Sequence, residues 1–211
     1  MSGLFITFEG TEGGGKSTQI ARLAGRLNGL KFKVRLLREP GGTPIGEEIR
    51  HTLKHSASSH AMGAEAELLL VNASRAQLVR EVIRPALAAG EIVLCDRFYD
   101  STIAYQGYGR GLDLSQVHGV IQFAVGETIP NLTLLLRVQI EMSEERRVAR
   151  GTVERDRFEE LDRAFFRRVE QGYDAIAQSE PRRVKVIDAT RAIEQVEEDI
   201  WRAVEPLAAL R

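Results

Sequence analysis

A chain of 211 residues, 43% hydrophobic and 28% charged, is long enough for one compact domain with a full core and too short for two comfortable ones. Its formal net charge of -1 offers no global basic field, which argues against nucleic acid as a partner, and its one cysteine, Cys95, excludes an internal disulfide. The apolar patch at 4–8 runs straight into glycines without the basic start of a signal peptide, and no stretch is apolar for long enough to span a membrane, so a cytoplasmic location is expected.

Short aliphatic runs alternate with longer helical patterns along the chain. LFITFE at 4–9 reads as a strand buried on both faces, as do FKVRLL at 32–37, EIVLCD at 91–96, NLTLLLRV at 131–138 and RVKVID at 183–188. Ile20, Leu23, Leu27 and Leu30 recur at helical spacing after the first strand. A long leucine- and valine-rich helix is predicted over 63–88. Another follows Phe158, Leu161, Phe165, Val169, Tyr173 and Ile176, and the last follows Ile193, Val196, Ile200, Val204 and Leu207. This alternation predicts an α/β fold over a single domain, 1–211: a five-stranded parallel sheet with helices on both faces. The stretch 98–111 reads as a polar-aromatic loop, and 54–63 and 146–157 as the flexible pieces.

Ligands of such sheets bind beyond the carboxyl ends of the strands, and the motifs fall there. Residues 10–17, GTEGGGKS, match G-x-x-x-x-G-K-[ST] in full, between a predicted strand and a predicted helix. The glycines let successive N–H groups turn toward phosphate oxygens, and the helix N-terminus adds partial positive charge. Lys16 is expected to reach the β- and γ-phosphates of ATP, and Ser17 to place its hydroxyl on Mg2+. Asp96, ending the third strand, is a second Mg2+ candidate. The loop alone does not choose among a kinase, a GTPase and a motor.

The arginines favour a kinase. A nucleoside monophosphate brings its own anionic nucleophile, with a second phosphate pKa of about 6, so no general base is needed. The barrier is the approach of two anions, which calls for cations and exclusion of water. Arg50, Arg75 and Arg97 supply them, with the run Arg146, Arg147, Arg150, Arg155 and Arg157. Gly151 interrupts that run, and the segment 146–158 is read as an arginine-bearing lid.

FEGTEGGGKST at 8–18, REPGGTPIGEEIR at 38–50, ASRAQ at 73–77, DRFYDSTIAYQG at 96–107 and IDAT at 187–190 together resemble thymidylate kinase, in the bacterial subtype whose lid carries the catalytic arginine. The resemblance implies a P-loop NTPase fold and transfer of the γ-phosphate of ATP to dTMP, giving dTDP and ADP for dTTP synthesis. It implies ATP contacts from Gly10, Thr11, Glu12, Gly13, Gly14, Gly15, Lys16, Ser17 and Thr18, with Asp188, Thr190 and Arg191 in a loop beside adenine. Glu12 matches a carboxylate that binds the deoxyribose 3′-hydroxyl, and Glu39-Pro40 a special turn of the acceptor site, open to a cis peptide. Arg50 and Arg97 match arginines on the acceptor phosphate. Arg75 and Gln106 match readers of the pyrimidine edge, with Thr102 at a neighbouring small polar position, and Tyr105 an aromatic that crowds the 2′ position. Arg150 matches the lid arginine, so Lys16, Arg97 and Arg150 are the catalytic candidates. A homodimer is implied too, for which the apolar helix over 65–87 offers a face.

Three positions depart from the family's usual pattern. Val71 stands where a phenylalanine stacks on thymine, a loss worth about 1 kcal/mol by analogy with aromatic pairs. Arg137 follows the fourth strand where aspartate is usual, and the lid is longer around 152–155. Two other readings share part of the pattern: a P-loop kinase of another pyrimidine nucleotide or nucleoside, and a nucleotide-binding protein with weak or lost turnover. The first would not require Glu12, REPGGT and AYQ together.

Overall fold

The computed structural model describes residues 3–139, 142 and 162–210. Its centre is a sheet of five strands, β1 (Leu4–Glu9), β2 (Val34–Arg38), β3 (Ile92–Asp96), β4 (Leu132–Arg137) and β5 (Val184–Asp188), in the order β2-β3-β1-β4-β5. Every pairing is parallel, so all five strands deliver their carboxyl ends to one edge. The expected α/β sheet is the observed one.

Alternation along the strands divides the core in two. Phe5, Val93 and Leu135 pack on one side of the sheet; Leu4, Ile6, Phe8, Leu94 and Leu134 pack on the other. The second side is covered by α1 (Lys16–Gly29) through Ile20, Leu23 and Leu27, together with the C-terminal helix through Val196, Ile200 and Val204. α2 (Pro44–Lys54) follows β2 and is capped by Thr43, whose Oγ1 accepts from Gly46 N at 3.1 Å. The first side is covered by α3 (Ala64–Leu78), α6 (Leu114–Val125) and α7 (Arg163–Ser179), with α4 (Arg84–Ala88) and α5 (Tyr99–Thr102) between them in the chain; the last helix is α8 (Ile193–Ala208).

Three expectations change. The outer strands are not buried on both faces: Leu36 in β2 is 52% exposed and Val186 in β5 is 45% exposed. Both strands sit at sheet edges, where the helix layers give less cover. The helix predicted over 63–88 is helical from α3 to α4, but widens into a π-helical turn at Val79–Ile83. Pro85 lacks an N–H and its ring crowds the carbonyl four residues earlier, so the turn before it opens.

The stretch 98–111 is not a loop. α5 runs into a π-helical segment, Ile103–Gly109, in which Ala104, Tyr105 and Gln106 are buried. Glycine permits its close approach to α7: a Cβ on Gly172 would lie 3.0 Å from Ala104 Cα, and one on Gly109 would lie 2.7 Å from the Phe165 ring. In the stretch 54–63, a 3-10 turn occupies Ala57–Ala61. α7 begins at Arg163, capped by Asp162; Phe158, Leu161 and the segment 146–158 lie outside the described residues.

Candidate active site

β1 ends at Glu9 and the chain turns through the glycine-rich loop into α1. Gly10, Gly13 and Gly15 take φ of 125°, 79° and 82°, values that favour glycine. A Cβ on Gly10 would stand 2.3 Å from Leu136 O, so the loop also lies tight against β4. Gly15 leads into α1 with no side-chain cap, leaving the first-turn amides for an anion. Lys16 curls over the loop and donates to Gly10 O at 3.1 Å and Thr11 O at 2.9 Å. Burial lowers its pKa to about 8, with the Arg97 charge acting in the same direction. Ser17 Oγ donates to Asp96 Oδ2 at 3.3 Å, joining the start of α1 to the end of β3.

Arg97 directly follows β3 and adopts φ 71°, an uncommon value for a residue with a side chain. Its guanidinium donates to Ser101 Oγ at 3.0 Å and Tyr173 Oη at 3.3 Å, and lies 5.2 Å from the Tyr105 ring. Ser101 and Tyr173 in turn donate to Glu9 Oε2 at 2.5 and 3.0 Å, while Phe98 N donates to Glu9 Oε1 at 2.7 Å. Burial raises the Glu9 pKa to about 7, helped by the neighbouring Asp100 charge. Arg97 is thus aimed by a small network built on β1, α5 and α7.

On the other side of the site, Glu39-Pro40 forms a cis peptide at the end of β2. Glu39 Oε2 accepts from Arg75 Nε at 2.7 Å. Arg75 also donates to Asn72 Oδ1 and Thr102 Oγ1, each at 2.9 Å, and to Phe98 O at 3.1 Å. Arg50 Nη1 donates to Pro40 O at 2.8 Å. Gln106 Nε2 donates to Glu67 Oε1 at 2.8 Å.

Many of these groups, though not Glu9, Glu67, Asn72 or Tyr173, line one cavity of about 320 Å³. Lys16 and Ser17 stand in its wall with Glu12, Gly13, Gly15 and Asp96. So do Glu39, Pro40, Arg50, Val71 and Arg75, and beside them Arg97, Thr102, Tyr105 and Gln106. A phosphate-binding loop and an arginine-rich pocket therefore open into the same space. The family described as thymidylate kinase matches residues 8–200. The chain belongs to the thymidylate kinase family.

Relatives in that family cover nearly the whole chain. The thymidylate kinase of Deinococcus radiodurans is 48% identical over 203 residues, 96% of each chain. That of Pseudomonas putida is 50% identical over 200 residues, 95% of this chain and 94% of the relative. Among solved structures, thymidylate kinase from Ehrlichia chaffeensis superposes with a TM-score of 0.78 at 33% identity, covering 97% of this chain and 99% of that one. The P-loop fold and the family expected from the motifs are both found.

The remaining thymidylate kinase positions are spread more widely. Gly10 and Thr11 line a second hollow of about 370 Å³ with Arg137, whose guanidinium pairs with Asp174 on α7. Gly14 packs against β4, and Thr18 is exposed on α1. Asp188, Thr190 and Arg191 lie beyond β5: Asp188 Oδ1 accepts from Thr190 N at 3.0 Å, and Arg191 pairs with Asp199 at 2.5 Å. They stand apart from the lining of the main cavity. Arg150 lies outside the described residues. Sequence reasoning does not single out Glu9, Glu67, Ser101 or Tyr173 as site residues. Glu9 carries one signal, an acid ending an otherwise apolar strand; Glu67 carries none beyond its place in a helical pattern.

Proposed function

We propose that this chain transfers the γ-phosphoryl group of ATP to dTMP, giving ADP and dTDP, with both nucleotides meeting in the 320 Å³ cavity. The observation that carries this reading is the continuity of that cavity from Lys16 and Ser17 to Arg75 and Gln106. An oxygen of the dTMP phosphate forms the new bond to the γ-phosphorus, and the β–γ bridging oxygen leaves with ADP. Lys16 moves from its carbonyl partners onto phosphate oxygens, and the amides from Gly13 to Ser17 hold the rest of the chain of phosphates. Arg50 and Arg97 hold the acceptor phosphate in line and offset the repulsion between the two anions. Glu12 receives the 3′-hydroxyl, Tyr105 occupies the space a 2′-hydroxyl would need, and Arg75, Thr102 and Gln106 face the base. The lid arginine Arg150 is assigned to the transferring phosphoryl group by family resemblance.

Ser17 and Asp96 fit a magnesium ion. They are hard oxygen donors 3.3 Å apart at the mouth of the P-loop, and no cluster of three or more acidic or histidine ligands exists among the described residues. That sparse set suits Mg2+, which takes one or two protein oxygens and completes its shell from water and phosphate. Held by Ser17 and Asp96, such an ion would supply positive charge to the phosphates of ATP.

A homodimer is part of the proposal: Leu69 on α3 and Phe123 on α6 are 58% and 93% exposed, on neighbouring helices. So is residence in the cytoplasm, which suits Cys95 as a free buried thiol. No described helix is long and apolar enough to cross a membrane.

ADP release in the presence of Mg·ATP tests the proposal. It is expected to depend on dTMP and to fall at least about 100-fold in Lys16→Ala, as for the loss of a main charge-stabilising group. ADP release that ignores dTMP, or survives the Lys16 change, overturns it.

A further inference from the structure

Glu67 lies outside the cavity wall and is fully buried, yet it holds a residue that lines the cavity. Its Oε1 accepts from Gln106 Nε2 at 2.8 Å. The same carboxylate receives two bonds from Arg110, Nε to Oε1 at 3.1 Å and Nη2 to Oε2 at 2.9 Å. Arg110 is steadied in turn by the Phe165 ring, 5.0 Å away.

A glutamine amide can present either a donor or an acceptor, and its two ends differ little in shape. A carboxylate paired with a guanidinium can only accept. The end of Gln106 that meets Glu67 must therefore be the NH2 group, whichever way the amide is drawn. The NH2 group keeps a second N–H, but that end of the amide is anchored at Glu67; the opposite end, free to meet a base, is Oε1, an acceptor. Gln106 is only 3% exposed, so water does not compete freely for this choice.

We infer that Glu67 is a specificity-determining positioning residue: it fixes the polarity of Gln106 so that the cavity accepts a base carrying a ring N–H donor and rejects one presenting a bare ring nitrogen there. This rests on the proposed function above, in which Gln106 faces the acceptor base. Thymine and uracil carry an N–H at N3, whereas cytosine has an unprotonated nitrogen at that atom. The Gln106 carbonyl would face that lone pair with one of its own, and a buried acceptor left unpaired is costly. The discrimination between pyrimidines is thereby set by an acid that reaches the base only through Gln106 and is held in place by Arg110.

Glu67→Gln tests this with little change of shape. The amide introduced at this position can either accept from or donate to Gln106, so the Gln106 amide is free to turn. The measurement is steady-state phosphorylation of dTMP and dCMP by the full chain, wild type and variant. The expected result is a fall of about 10-fold or more in the ratio of kcat/KM for dTMP over dCMP, the scale of one misplaced hydrogen bond. It should arise mainly from KM, with kcat for dTMP within about 3-fold and the KM for ATP unchanged. Glu67→Asp, which keeps an acceptor-only group, should retain more of the wild-type ratio than Glu67→Gln. A ratio unchanged in a cooperatively folded Glu67→Gln overturns the inference.

If Glu67→Gln does not fold, the pair Glu67→Gln/Arg110→Gln removes both charges together and takes the same measurement. Failure of that pair to fold assigns Glu67 a purely structural role and overturns the inference as well. Wild-type protein tests the underlying reading separately, by comparing dTMP with its N3-methyl derivative. Equal use of those two acceptors would refute the placement of the base against Gln106, whatever Glu67 does.

Discussion

Arg75 Nε lies 2.7 Å from Glu39 Oε2, and the two side chains are only 1% and 2% exposed. Burial pushes the Glu39 carboxyl above its usual range, while Arg75 pulls it back, and the other oxygen, Oε1, has no hydrogen-bond partner among the described residues. The pair joins the cis Glu39-Pro40 turn to α3, and through Thr102 to α5. A buried ion pair of this kind is expensive to break by removing one partner, because the other charge stays behind. Arg75→Ala is therefore expected to lose about 3–5 kcal/mol in denaturant unfolding, as well as dTMP affinity. A loss below about 1 kcal/mol would mean the site relaxes or hydrates far more easily than the packing implies.

Val71 gives a prediction of gain. It lines the cavity on α3 and is half-buried, at the position where the family's usual pattern places an aromatic ring against the base. Val71→Phe is expected to strengthen dTMP binding by about 1 kcal/mol, or roughly 5-fold in Kd, by adding a stacking face. Calorimetric titration with dTMP checks it. Weaker binding would show that the space beside Val71 is already filled by another part of the wall.

Glu9 gives a pH dependence. The folded protein holds its proton up to about pH 7, against an ordinary value of 4.5. Unfolding therefore releases a proton anywhere between those values. The stabilisation is present in full below 4.5 and is lost as pH rises through 7, by up to about 3 kcal/mol. Glu9→Gln cannot titrate, so the stability difference between wild type and variant should shift in the variant's favour between pH 5 and pH 8. Stability curves that run parallel across this interval would show that Glu9 is ionised throughout.

Much of this protein is legible in the sequence. The buried strands β1, β3 and β4 announce themselves as continuous apolar runs, and GTEGGGKS fixes the P-loop between β1 and α1. The acceptor-side residues expected from the motifs, from Glu12 to Gln106, gather around one cavity. What escaped was set by tertiary contact. The stretch 98–111 looks like a loop because its tyrosines, glycines and polar residues have weak helical propensity, yet packing of Gly109 and Gly172 against their neighbours holds it helical. Glu9 and Glu67 escaped because a buried acid is defined by the partners that reach it, and those come from α5, α7, the turn after β3 and the π-helical segment, far away in the chain. The edge exposure of β2 and β5 likewise depends on strand order, which periodicity does not encode.

The most direct test of the central claim is the rate of ADP formation from Mg·ATP across a panel of acceptors, dTMP, dUMP, UMP and CMP, at matched concentrations. dTMP should give the highest kcat/KM, with UMP and CMP lower by at least about 10-fold, because the proposed function has Tyr105 crowd the ribose and Gln106 read the base. Activity on UMP or CMP well above that on dTMP would contradict the account and point to a kinase of another pyrimidine nucleotide.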